Sequence, residues 1–92
     1  MKLGTFSKQP NEKESYTITY EDALTDGDNI ISATAAVEPA GLTINGIVIA
    51  DPRVKFWASG GVVDTRYKVT ITATTEDGRV MEDEITFKIK EI

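Results

Sequence analysis

Carboxylate side chains are the residues of this chain with the clearest capacity for chemistry, and one cluster of them includes Asp26 and Asp28. Oxygen-rich loops of this kind bind Ca²⁺, which takes about 6–8 oxygen ligands. The spacing departs from the helix–loop–helix calcium motif, and Asp and Asn are also ordinary turn residues. We therefore expect no cofactor and a solvated turn, with calcium at Asp26 and Asp28 as the alternative. The whole acidic cluster comprises Glu21, Asp22, Asp26, Asp28 and Asn29.

A second acidic cluster surrounds a turn later in the chain and comprises Glu76, Asp77, Glu82, Asp83 and Glu84. Paired carboxylates perform acid–base chemistry when one of them lies in an apolar pocket. Because these flank a turn, we expect them to face water and to keep an edge strand soluble. The chain has no His and no Cys, which removes the commonest general base, thiol nucleophiles, zinc–thiolate sites and disulfides. We therefore expect no enzyme, and a carboxylate enzyme is the least favoured reading.

Length and charge limit the classes of partner. A chain of 92 residues forms one small domain. Its formal net charge of −5 opposes binding to nucleic acid and to anionic membranes, so we expect neither partner. The first residues contain no apolar signal core, so we expect synthesis in the cytoplasm.

Trp57, the single Trp, is a candidate interface anchor. If Val54 and Phe56 face the core, the alternation of a strand directs Trp57 outward together with Lys55. The alternative is that Trp57 itself points inward or is covered by another segment. The pair Gly60-Gly61 that follows predicts a turn, because no helix or Lys-Ser/Thr pair follows it to form a phosphate site.

The elements that would position these residues are strands. Ile, Val and Thr dominate, and apolar residues alternate with polar ones, as in half-buried strands. Asn45-Gly46 within Leu42–Ala50 predicts a short hairpin. Val80 falls out of phase with Ile85, which predicts either that Met81 faces inward or that a bulge shifts the register. The predicted strands are Ser15–Tyr20, Ile30–Val37, Arg53–Ser59, Arg66–Thr74 and Val80–Ile89.

Short strands separated by regular turns predict an all-β fold. We expect a small antiparallel immunoglobulin-like β-sandwich of about seven strands, held without a disulfide. Residues 1–14, which contain Phe6 and Pro10 among polar residues, are predicted to be an extended N-terminal lead-in. Residues 15–92 are predicted to form the sandwich domain.

Several short motifs follow one another along the chain. They are a Phe-x-Lys-x-Pro start, a Tyr-containing strand, an acidic loop, a Val-x-Pro break before Gly-Leu, a Trp-x-Ser-Gly-Gly segment before Tyr-x-Val, and a Thr-x-x-Gly-Arg turn. From Phe6 to Ile89 the chain resembles the Ig-like fiber–tail adaptor proteins of phages. The matching positions are Phe6, Lys8, Pro10, Tyr16, Gly27, Asp28, Ile30, Ser32, Val37, Pro39, Gly41, Leu42, Trp57, Ser59, Gly60, Gly61, Tyr67, Val69, Thr75, Gly78 and Arg79.

This resemblance implies a phage or prophage structural protein that acts as a non-catalytic protein–protein adaptor in the tail or neck. It implies a place in the virion, contact with other tail or neck proteins, and a homo-oligomer in the assembled particle. We expect partner contacts at Phe6, Pro10, Trp57, Ser59, Gly60 and Gly61. The alternative is a cellular Ig-like module that binds a carbohydrate or a partner protein through an exposed aromatic surface.

Overall fold

A computed structural model describes residues 2–20, 27–50 and 52–91, with Lys2 and Leu3 described by their backbone alone. Within these ranges no helix is long and apolar enough to cross a membrane. The strands are β1 (Lys2–Lys8), β2 (Lys13–Thr19), β3 (Ile30–Glu38), β4 (Leu42–Ala50), β5 (Arg53–Gly60), β6 (Arg66–Thr75) and β7 (Val80–Ile89).

The strands form two sheets. The four-stranded sheet has the order β1-β7-β6-β3, and the three-stranded sheet has the order β2-β5-β4. Every pairing is antiparallel except that of β1 with β7, which is parallel. The orders β2-β5-β4 and β3-β6-β7 match the B-E-D and C-F-G strands of an immunoglobulin sandwich. The all-β, immunoglobulin-like prediction is thereby confirmed.

The predicted lead-in contains a strand of its own, since β1 pairs with β7 from Lys2 to Lys8. The chain then turns at Pro10 and begins β2 at Lys13, two residues earlier than expected. The division of the chain at residue 14 stays a prediction.

The core lies between the two sheets and follows the alternation of the sequence. On β6 the apolar members of the alternation, Tyr67, Val69, Ile71 and Ala73, point inward and are fully buried. Val54 and Phe56 of β5 face them from the other sheet, also fully buried. The core residues are Ile18, Tyr20, Ile30, Leu42, Val54, Phe56, Ala58, Tyr67, Val69, Ile71, Ala73, Ile85, Phe87 and Ile89.

Strand β7 keeps a regular register along β6, so the out-of-phase Val80 needs no bulge. Met81 packs against the core and Val80 is exposed, as one of the two predictions stated. The same phase turns Asp83 inward, where it is buried. The expectation that Asp83 faces water is therefore wrong, because the alternation of a strand overrides the charge of one residue.

The hairpin predicted at Asn45-Gly46 is also wrong. Strand β4 continues through this pair and pairs with β5 on both sides of it, with a register shift between Asn45 and Val48. Gly46, with a φ of +62°, supplies the left-handed residue that a bulge of this type needs. The additional residue places both Ile44 and Ile49 on the core side, although five positions separate them.

A tyrosine fixes the end of the sandwich where β5 passes to β6. The Val62 amide donates a hydrogen bond of 2.9 Å to the hydroxyl of Tyr67. This contact is typical of the tyrosine corner of immunoglobulin-like sandwiches. Gly41 lies against the same ring, because a Cβ at this position would be 2.7 Å from the Tyr67 hydroxyl.

Candidate partner interface

Trp57 lies on the outer face of the three-stranded sheet, as its phase against Phe56 predicts. In register it lies between Ser15 of β2 and Asn45 of β4. Its side chain is half-buried by this surround. A Cβ at Gly46 would be 2.9 Å from Cδ1 of the indole, so the bulge in β4 brings bare backbone against the ring. The indole is thus held on the surface by the sheet itself.

Two lysines flank the indole. The Nζ atom of Lys55 is 5.2 Å from the ring centroid, and that of Lys13 is 5.8 Å from it. Both distances lie within the range of cation–π attraction, about 6 Å. Two ammonium groups on the outer face of the sheet are therefore within cation–π distance of the same indole.

The outer face of the three-stranded sheet is basic, although the whole chain is acidic. Arg53 alternates onto this face with Lys55 and Trp57. The acidic residue of β2, Glu14, lies on the other side of its strand, near Tyr16. Burial and then the charges of Glu14 and Glu12 raise the pKa of Tyr16.

Ser59, Gly60 and Gly61 end β5 beside this face. Ser59 is paired with both neighbouring strands and is half-buried. Gly60 and Gly61 have φ values of +76° and +101°. A Cβ on Gly61 would be 2.7 Å from a side-chain carbon of Ile89. Gly60 therefore ends β5 and Gly61 begins the connection to β6, so the predicted turn lies just after the pair, at residues 62–65. Close packing against the core requires a glycine at position 61.

Lys8 joins the N-terminal strand to this turn. Its ammonium group donates hydrogen bonds to the carbonyl oxygens of Gly60 at 2.6 Å and Gln9 at 2.7 Å. The side chain is buried, with 2% of its surface exposed. Burial lowers the pKa of Lys8, while the charge of Glu12 acts in the opposite direction. The N-terminal motif and the Gly-Gly turn are thereby brought together in space.

Phe6 lies at a different surface from Trp57. Its ring centroid is 5.1 Å from that of Tyr16 and 5.9 Å from that of Phe87, and 42% of the side chain is exposed. It lines an open groove of about 450 Å³ between β1 and β2, which are the edge strands of the two sheets on this side. Pro10 is half-buried in the turn between these strands. Strand β2 thus separates the Phe6 groove from the Trp57 face, the outer surface formed by Trp57, Lys13, Lys55 and Arg53.

The first acidic cluster is described only in part, because Asp26 and residues 21–25 lie outside the described ranges. Asp28 is buried, and its Oδ1 accepts hydrogen bonds from the amides of Asn29 at 3.0 Å and Asp77 at 3.1 Å. Burial alone would raise the pKa of Asp28, but these hydrogen bonds and that of Thr75 outweigh it and lower the pKa. Asp28 therefore links the β2–β3 loop to the β6–β7 turn.

Metal binding stays untested by this geometry. The described part of the chain contains no group of three or more carboxylate, His or Cys residues arranged to hold a metal ion. Calcium at Asp26 and Asp28 stays a prediction, since one of its two residues is not described.

The second acidic cluster divides between surface and core. Glu76 and Asp77 are exposed at the turn, whereas Asp83 of β7 is buried near the hydroxyl of Tyr20. Burial and the Asp83 carboxylate raise the pKa of that hydroxyl.

The apolar groove beside Phe6 is lined by Phe6, Ser15, Tyr16, Thr17, Ile18, Thr19 and Ile85, a set without a carboxylate.

Of the two predicted directions of Trp57, the outward one is observed, and the contacts of Lys13 and Lys8 are additions from the structure. The contact of Lys13 with the indole is not predictable from the sequence, because it depends on how β2 pairs with β5. Lys8 was noted as part of a motif, and the structure adds its contact with Gly60. A lysine between a Phe and a Pro at the end of a strand is the signal that could have indicated a structural cation.

Comparison with known protein families identifies a match, which covers most of the described sandwich. The family model described as podophage GP4 fiber-tail adaptor protein gp77 matches residues 8–88 of the chain. A search of curated proteins finds no match. The family match spans strands β2 to β6 and nearly all of β7, together with the Lys8 contact and the Trp57 face. The chain therefore belongs to the podophage GP4 fiber–tail adaptor family of phage structural proteins.

Proposed function

We propose that this protein is a non-catalytic adaptor of the virion, which joins the phage tail or neck to neighbouring proteins by surface contact. The match of residues 8–88 to the fiber–tail adaptor family is the observation that carries the proposal. A rigid sandwich with a basic aromatic face and an open groove supports a role in binding. The groove lining without a carboxylate gives no support to acid–base catalysis.

The contact surfaces of the proposed adaptor are the two segments that Lys8 ties together. One is the Trp57–Gly61 segment, and the other is the N-terminal segment with Phe6 and Pro10. Phe6 is 42% exposed and Trp57 is half-buried, so both present aromatic surface to a partner. Aromatic side chains of this kind supply much of the binding energy of protein interfaces.

The adaptor is proposed to act as several copies in one particle. Tail structures are built from rings of repeated subunits, and the two sheets have free edge strands at β1 with β2 and at β3 with β4. Synthesis in the host cytoplasm is consistent with a core that needs no disulfide, since the chain has no cysteine.

Deletion of the gene followed by electron microscopy of the particles tests the proposal. An adaptor predicts particles with filled heads and tails that lack their fibers, and that regain them when the wild-type gene is supplied. Normal, fibered and infectious particles without this chain would contradict it. Binding of the purified chain to a glycan array would instead support the carbohydrate-binding alternative.

A further inference from the structure

We propose that the Trp57 face binds an acidic protein segment. The Trp57 face is defined here as the outer surface formed by Trp57, Lys13, Lys55 and Arg53. Carboxylates of the partner would pair with the three cations, and one would accept a hydrogen bond from the indole N–H. The proposal rests on the adaptor function in one respect, because that function makes the partner a protein.

The cations of this face have no ion-pair partner among residues 2–20, 27–50 and 52–91. Lys68 and Glu84 form an ion pair at 3.7 Å on the other sheet. Lys13, Lys55 and Arg53 make no ion pair with any described residue. In a chain of net charge −5, three cations without an ion pair to a described residue, all on one face of a three-stranded sheet, are a local reversal of sign.

The Trp57 face presents hydrogen-bond donors to a partner. The ammonium groups of Lys55 and Lys13 lie 5.2 Å and 5.8 Å from the same ring centroid. No described residue accepts a hydrogen bond from the indole N–H, which is also a donor. Carboxylates accept hydrogen bonds and carry the opposite charge, so a segment with two or more of them complements the Trp57 face.

The indole is held in place before a partner arrives. The backbone at Gly46 lies against one edge of the ring, and Ser15 and Asn45 flank it in register. A fixed ring with its two cations loses little conformational freedom on binding, which favours a specific contact.

Charge also distinguishes a protein partner from a nucleic acid. A nucleic acid strand carries negative charge along its whole length. The acidic remainder of the protein would therefore repel the nucleotides that extend beyond the Trp57 face. A protein segment can confine its carboxylates to the size of this face. The observations therefore favour an acidic peptide over a polynucleotide.

The single Trp makes the proposal directly testable by fluorescence. Purified protein is titrated at low salt with hexaglutamate, with hexalysine and with an oligothymidylate of six nucleotides. We expect hexaglutamate to change the Trp57 emission saturably, with an affinity that falls as salt is added. Hexalysine is expected to leave the emission unchanged, and oligothymidylate to bind more weakly than hexaglutamate.

The double variant Lys13→Gln/Lys55→Gln is expected to bind hexaglutamate about tenfold more weakly, because two charge-assisted contacts are lost. The matched control is Lys88→Gln/Lys90→Gln, which removes the same charge from elsewhere and should bind as the wild type does. No saturable change with hexaglutamate, equal loss in both variants, or tighter binding of oligothymidylate would overturn the proposal.

Incorporation into particles separates this proposal from the adaptor function. Lys13→Glu/Lys55→Glu is expected to be depleted at least about tenfold from purified particles, whereas Lys88→Glu/Lys90→Glu is retained. Thermal unfolding of both variants checks that each is folded. If the wild-type chain is absent from particles, the adaptor function fails; if it is present and both variants are retained equally, the acidic-segment proposal alone fails.

Discussion

The ammonium group of Lys8 lies 2.6 Å from the carbonyl oxygen of Gly60, although 52 positions separate the two residues in the chain. Lys8 ends a strand of one sheet, and Gly60 ends a strand of the other. The contact therefore fastens the two sheets to each other at one end of the sandwich. A charged donor in a buried site makes a strong hydrogen bond, which suits a domain without a disulfide.

Replacement of this lysine should weaken the fold. Lys8→Met removes the donor to two carbonyl oxygens and is expected to lower the free energy of unfolding by about 1–3 kcal/mol. Urea denaturation measures the change. Lys88→Met, on the same sheet at a half-exposed position, is the control and should cost less than about 0.5 kcal/mol. Equal losses in the two variants would show that the Lys8–Gly60 contact stabilises nothing.

Gly61 should tolerate a methyl group worse than Gly78, another glycine of positive φ. In Gly61→Ala the new Cβ meets Ile89 at 2.7 Å, whereas in Gly78→Ala no atom lies within 4 Å. Their φ values, +101° and +91°, impose similar backbone strain. We expect Gly61→Ala to lose about 1–3 kcal/mol more than Gly78→Ala by urea denaturation. Losses of the same size would attribute the whole effect to the backbone.

The Gly41 position and the Tyr67 hydroxyl should be coupled. Tyr67→Phe removes the acceptor of the Val62 amide and is expected to cost about 1 kcal/mol. Gly41→Ala places a Cβ 2.7 Å from that hydroxyl. Gly41→Ala should therefore cost less in the Tyr67→Phe background than in the wild type. A double-mutant cycle measures the difference, and additive losses would contradict the contact.

Asp28 should make the stability of the protein depend on acid pH. Its folded-state pKa is lowered from an ordinary value of 3.8, so the ionised form is favoured by folding. The resulting stability is present above pH 3.8 and is lost as the pH falls through the folded-state pKa. We expect Asp28→Asn to lose less stability than the wild type over that acid range. Parallel pH profiles from urea denaturation would show that Asp28 is not the group responsible.

The fold was predictable where alternation alone decides which face of a strand is buried. The inward set of β6 and the outward direction of Trp57 follow from a period of two. Asn45-Gly46 was misleading, because the left-handed geometry that forms a hairpin turn also forms a bulge. Only the pairing of β4 with β5 on both sides of the pair distinguishes these structures.

The candidate site was less predictable, because its contacts are made between distant segments. The position of Lys13 beside Trp57 depends on the register of β2 against β5, and the Lys8–Gly60 contact joins two sheets. For Asp83, two signals within the sequence conflict with each other. Its charge favours the surface, but the regular phase of β7 and its neighbours Met81 and Ile85 place it inside.

Quantitative mass spectrometry of intact particles, purified from the bacterium that carries this sequence, tests the central claim most directly. A virion adaptor predicts this chain at several copies per particle, in a fixed ratio to the tail proteins, and retained through a density gradient and a salt wash. Particles that are complete and infectious but contain none of this chain would contradict the claim.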